Sequence, residues 1–143
     1  MKCAAEKLQS LMAASPVLAD SSYYIRSLRE RQDPLRALAL AAAARDLVVC
    51  GVVRCEVGRA LRPPETLKRF QAFWNVMLNV PTDNRLWEEV ERTLWNLDRR
   101  GCVLPLTDVV IACCAMRMDA VVLTYDNHFN EIPGVRAINR LDV

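Results

Sequence analysis

Four acids stand in apolar surroundings where a solvated carboxylate is out of place: Asp20, Glu56, Asp108 and Asp126. Asp108 opens the run Leu106 to Met116, which is apolar on every face at helical pitch and so reads as a buried helix. Glu56 has Val52, Val53, Arg59 and Ala60 at three and four residues' spacing, a largely apolar face. Each acid has an ordinary explanation. Asp20 can cap a helix, Thr107 or Asp108 can begin one, Asp126 can form an Asx-turn, and Glu56 can pair with Arg59. Taken together they have a chemical explanation. Two like charges about 4 Å apart repel by about 4 kcal/mol at an effective dielectric of about 20, so converging carboxylates need shared protons or a cation. Oxygen ligands without a His or Cys cluster point to Mg²⁺ or Mn²⁺. Such an ion activates water and holds a phosphate oxygen, and phosphodiester hydrolysis follows as the natural reaction.

Ser21, Ser22, Thr107, Thr124 and Asn127 flank the acids and could orient a carboxylate or a metal-bound water. The same Ser and Thr residues could be plain helix caps. His128 is the single histidine. It reads as structural rather than catalytic, because a metal-bound water needs no imidazole.

The elements that must position these residues alternate between strand and helix. Met1 to Ala14 reads as an amphipathic helix with Ala4, Leu8, Leu11 and Met12 on one face. Pro16 to Ala19 is a short strand ending at Asp20, and Ser21 starts a helix carrying Tyr23, Tyr24, Ile25 and Leu28. Asp33-Pro34 opens an Ala-rich helix, Leu35 to Ala44. Leu47 to Cys50 is a buried strand, and Gly51 turns the chain into a helix from Val52 to about Leu61 that carries Glu56. A helix from Glu65 to about Asn75, a strand from Met77 to Val80 and a long helix from Asn84 to Arg100 follow, the last ended by Gly101. Val121 to Thr124 and Val135 to Ile138 complete the strands. Strands alternating with helices imply a largely parallel sheet covered on both faces. The expected fold is a three-layer α/β/α domain spanning 1–143, with four or five short strands and 1–14 as an additional N-terminal helix. Ligands of such sheets bind beyond the carboxyl ends of the strands, an edge that all four acids can reach.

Composition agrees with one globular domain: 143 residues, 52% hydrophobic and 25% charged. The net charge is only +2, yet 16 of the 19 basic residues are Arg, the residue suited to bidentate phosphate contact. Arg26, Arg29, Arg54, Arg59 and Arg62 are the candidates for a basic rim around the acids. The six cysteines form no C-x-x-C pair, which with a single histidine argues against zinc, and most sit in apolar runs as small hydrophobes, which fits a reducing cytoplasm. Glu6, Lys7 and Gln9 interrupt any signal-peptide core, and no apolar stretch of about 18 residues exists.

Four segments resemble the acidic motifs of the PIN-domain ribonucleases, in the order and spacing of the VapC toxin branch. They are Leu18-Ala19-Asp20-Ser21-Ser22, Val53 to Arg59 around Glu56, Leu106-Thr107-Asp108 to Ala112, and Leu123-Thr124-Tyr125-Asp126 to Phe129. The tail through Ile132-Pro133-Gly134 also looks like that branch, and the resemblance runs from about Val17 to Ile138. It implies a Mg²⁺- or Mn²⁺-dependent endoribonuclease with Asp20, Glu56, Asp108 and Asp126 as the acidic metal site. It further implies a homodimer, an RNA substrate and a cognate VapB-like antitoxin that blocks the acidic pocket. The N-terminal helix is extra relative to the shortest members. Two other readings stand beside this one. An inactive PIN-like module would bind RNA or protein without turnover, but such a site is expected to have lost at least one acid. A haloacid-dehalogenase-type phosphatase wants Asp-x-Asp after the first strand, where this chain has Asp20-Ser21-Ser22.

Overall fold

Five short strands form the centre of the molecule: β1 Val17–Ala19, β2 Leu47–Cys50, β3 Leu78–Val80, β4 Val121–Leu123 and β5 Ala137–Ile138. The structure, a computed structural model, describes residues 3–141, without the side chains of residues 10–13. The strands lie in the order β3-β2-β1-β4-β5 and every neighbouring pair is parallel. β1, β2 and β4 are buried along their whole length, as expected of parallel strands covered by helices on both faces. The helices are α1 Ala4–Ala14, α2 Ser21–Arg29, α3 Pro34–Ala41, α4 Gly51–Gly58, α5 Pro64–Asn75, α6 Asn84–Arg99 and α7 Leu106–Arg117, with a 3-10 turn at Asn127–Glu131. The result is the three-layer α/β/α architecture expected.

The strand order explains where a site can form. From β1 the chain moves outward to β2 and β3, then returns to place β4 on the other side of β1. The crossovers on the two sides of β1 therefore diverge, and a crevice opens beyond the carboxyl ends of β1 and β4. Register brings these ends level, with Ala19 beside Leu123. The pairing continues one step further, because the Asp20 N–H donates to the Leu123 carbonyl at 3.0 Å.

α7 is the most deeply placed helix, with Val109 to Ala115 all buried. Its apolar periphery is the reason it carries no amphipathic stripe. A second core region joins α2 to α5. Tyr24, Phe70 and Trp74 are each about 1% exposed, their rings meet at tilted or edge angles, and Trp74 Nε1–H donates to the Tyr24 hydroxyl at 3.2 Å. That bond satisfies both polar atoms inside an aromatic cluster. Asp33 caps α3 by accepting the N–H groups of Leu35 and Arg36.

Several boundaries differ from expectation. α3 stops at Ala41 rather than Ala44, since Ala42 to Ala44 turn towards β2 through hydrogen bonds to Leu38, Leu40 and Ala41. β5 keeps only two of the four expected residues, because the turn at Ile132-Pro133-Gly134, with Gly134 at φ 85°, delays pairing until Ala137. Gly101 at φ 77° ends α6 as expected: its N–H reaches Asp98 and that of Cys102 reaches Leu97. The N-terminal helix begins at Ala4, and Met1 lies outside the described residues, as do the side chains of Leu11 and Met12. Leu8 of its expected apolar face is exposed.

Candidate metal centre and active site

Each acid reaches the crevice from a different element. Asp20 follows β1 and is the N-cap of α2, with its backbone in the extended region. Asp126 follows β4 and caps the 3-10 turn, accepting the His128 N–H at 2.9 Å. Glu56 lies in the second turn of α4, the helix that leaves β2. Asp108 lies in the first turn of α7. The ordinary explanations thus hold in part for Asp20 and Asp126, which do cap. For Asp108 the capping form fails, because the N-cap of α7 is Pro105 and no side chain caps that helix, which leaves only its favourable place in the first turn. The ordinary explanation fails also for Glu56, whose carboxylate is bonded not to Arg59 but to the Ser21 hydroxyl at 2.7 Å.

Asp20 is 3% exposed. Its Oδ1 accepts the Ser22 N–H and its Oδ2 accepts the Thr124 hydroxyl. Thr124 Oγ1 in turn accepts the Asp126 N–H at 2.9 Å, so a single hydroxyl links two of the acids. With its proton given to Asp20, Thr124 also accepts from Ser22 Oγ at 3.2 Å, and Ser22 Oγ takes the Tyr125 N–H at 3.0 Å. These bonds fix the Asp20 side chain and the strand-to-turn corner at Asp126 in one rotameric arrangement. Despite them, burial pushes the Asp20 carboxyl above its ordinary pKa, and the charge of Asp108 adds to the effect.

Asp108 is charge-coupled to other acids of the crevice. Its carboxyl is raised by burial, and the charges of Asp126 and Glu56 push the same way, while a hydrogen bond from His128 opposes them. Asp108 in turn raises Asp20. His128 Nδ1 lies 2.8 Å from Asp108 Oδ2 and 3.2 Å from Asp126 Oδ1. Both neighbours are acceptors, so Nδ1 carries a proton. The hydrogen bond to Asp108, reinforced by the charges of Asp126 and Asp108, holds the imidazole above its usual pKa.

Ligand atoms of Asp108, Asp126 and His128 fall within 4.8 Å of one another. Asp20 and Glu56 border this group through Thr124 and Ser21 rather than joining it at that distance. The donor set is mostly carboxylate oxygen, half-buried and mutually repelling, which fits a hard divalent cation better than a soft one. His128, read from the sequence as structural rather than catalytic, adjoins two of the acids. The only available signal was its position two residues after an acid. Of the flanking residues, Ser21, Ser22 and Thr124 hold acids directly. Asn127 instead lines an adjoining cavity, and among the described residues neither it nor Thr107 bonds an acid through its side chain. Of the arginines, Arg54 is committed to Asn79 at 3.1 Å and to the Trp74 ring. Arg26 is exposed beside Asp126.

Residues 17–135 match the PIN domain family, and the chain belongs to it. Solved structures agree on the fold. VapBC2 from Rickettsia felis, bound to a DNA fragment from its promoter, superposes with a TM-score of 0.72 at 15% identity, covering 87% of this chain and 98% of that one. DNA-bound VapBC from Salmonella typhimurium gives 0.72 at 19% identity, with 87% and 97% covered. VapBC-5 from Mycobacterium tuberculosis gives 0.60 at 21% identity, with 88% and 99% covered. Against curated protein sequences the chain has no match. No helix among the described residues is long and apolar enough to cross a membrane.

Proposed function

We propose that this chain is a Mg²⁺- or Mn²⁺-dependent endoribonuclease and the toxin of a VapBC-type module. The observation that carries the reading is the position of Asp108, a half-buried carboxylate with no capping role that is charge-coupled to Asp20, Glu56 and Asp126. The helix dipole favours an acid in this turn, but half-burial beside other acids is costly without a cation.

Asp108 and Asp126 would hold the ion, with Asp20 and Glu56 completing the acidic wall. When bound, such an ion supplies charge neutralisation at a phosphodiester and an activated water. Thr124 keeps Asp20 and the Asp126 corner in register, and Ser21 fixes the Glu56 carboxylate. His128, at the solvent edge, orients Asp108 by its Nδ1–H. The substrate is RNA, and the expected setting is the cytoplasm. The expected partners are a second copy of the chain and a VapB-like antitoxin encoded beside it, in keeping with the complexes named above.

Induced expression in a bacterial host tests the module. The expected result is growth arrest, relieved by the product of the adjacent gene and absent with Asp108→Asn. Arrest that persists undiminished in Asp108→Asn would contradict it.

A further inference from the structure

A polar cavity of about 510 Å³ adjoins the acidic cluster, and Thr124 and Asp126 line it on that side. Its other walls include Arg26, Tyr125, three amides (Asn127, Asn130 and Asn139) and Arg140. Apart from Asp126 no acid lines it, and two arginines do, Arg26 being paired with Glu30 outside the lining. The volume lies in the range of small-molecule ligand sites and the cavity opens next to the proposed scissile position.

One wall is built of stacked flat groups. The Arg26 guanidinium lies 4.2 Å over the Tyr125 ring, and the Tyr125 ring stacks on Tyr23 with centroids 5.8 Å apart and planes 22° apart. Glu30 accepts from Arg26 Nε at 3.0 Å, which holds the guanidinium in this plane. Tyr23 is buried and anchors the stack to α2. Tyr125 is 36% exposed and the Arg26 side chain 56%, so both keep surface for a ligand. None of this is explained by metal binding. The metal site needs Asp126 at its position, yet an alanine between Thr124 and Asp126 would serve that purpose equally well.

Planar aromatic and guanidinium surfaces are what splayed-out bases of single-stranded RNA stack on, and side-chain amides offer a donor and an acceptor to a base edge. We infer that this cavity is a nucleobase subsite: the base adjoining the cleaved phosphate stacks on the Arg26–Tyr125 wall, and Asn130 and Asn139 read its edge. The inference rests on the ribonuclease reading and adds to it the place where sequence preference is set. Asn127, next to Asp126, would help to direct the nucleotide towards the acids.

Two measurements separate this inference from the nuclease reading. First, Asp108→Asn protein is photo-crosslinked to a random single-stranded RNA pool carrying 4-thiouridine or 6-thioguanosine, and the attached peptides are mapped. Crosslinks at Tyr125 or in residues 137–140, weakened about tenfold by adding Tyr125→Ala, are expected. Crosslinks only elsewhere, or none, overturn the subsite whether or not the protein cleaves RNA. Second, the ends generated by active protein from the same pool are sequenced. Asn130→Ala/Asn139→Ala is expected to flatten the base preference at one nucleotide beside the cut, with its thermal midpoint unchanged. A preference unaltered in that variant overturns the assignment of the two amides. Crosslinks at Tyr125 without any cleavage sustain the subsite and remove the nuclease.

Discussion

His128 donates from Nδ1 to Asp108 at 2.8 Å, joining the turn after β4 to the first turn of α7. This contact orients the carboxylate on which the charges of Asp126 and Glu56 act. Groups that hold metal ligands are typically worth about 10- to 100-fold in metal affinity or activity. His128→Ala is therefore expected to slow cleavage by about that factor while leaving the circular dichroism spectrum unchanged. An activity equal to the parent's would mean that the contact is only structural.

Thr124 is 4% exposed, and its hydroxyl serves both Asp20 and the Asp126 backbone. Thr124→Val keeps the shape and removes the hydroxyl, leaving a buried acceptor and a part-buried N–H without this partner. A loss of about 1–3 kcal/mol in unfolding free energy is expected for each such group. Denaturant titration reads it, and a neutral substitution would show that water replaces the hydroxyl without cost.

The fold is legible in the sequence where burial is two-sided. Leu47-Val48-Val49-Cys50 could only be a covered strand, and the all-apolar run after Asp108 could only be a buried helix. Boundaries set by local turn hydrogen bonds were not legible, as at Ala42 to Ala44 and at Val135. The positions of the acids were readable from strand ends and one helix start. Ser21 and Thr124 were readable as residues that orient a carboxylate, but which acid each would hold was not, because Ser21 reaching Glu56 and Thr124 reaching Asp20 are contacts between segments far apart in the chain. The contact of His128 with Asp108 escaped for the same reason: Asp108 arrives from a different crossover.

Asp33 caps α3 and receives Arg69 Nη2 at 2.5 Å. The hydrogen bond from Arg69 and those from the Arg36 and Leu35 amides outweigh its slight burial and hold its carboxyl below the ordinary value. A depressed carboxyl stabilises the fold above its unfolded pKa of about 3.9, and this stability is lost as pH falls through the folded value. Asp33→Ala should therefore cost about 1 kcal/mol at neutral pH, as for other N-caps. The gap from the parent should narrow below about pH 4. A gap that stayed constant to lower pH would assign the effect to helix propensity instead.

The acidic cluster should bind its cation measurably in the absence of RNA. At ten times the dissociation constant, binding adds about 1.4 kcal/mol to stability, a rise of a few degrees in thermal midpoint for a chain of this size. Mn²⁺ and Mg²⁺ should both produce it, EDTA should reverse it, and Asp108→Asn should abolish it. An identical shift in Asp108→Asn would place the ion elsewhere.

The central claim is that these carboxylates make a metal-dependent ribonuclease, and one assay tests it most directly. Purified protein, freed of any bound antitoxin and shown to be folded, is incubated with total cellular RNA in Mg²⁺ or Mn²⁺, in EDTA, and as the Asp20→Asn/Asp108→Asn double variant. Discrete fragments that need the metal and vanish in the double variant are the expected result. RNA left intact by the parent, or cut equally well by the double variant, would contradict the account.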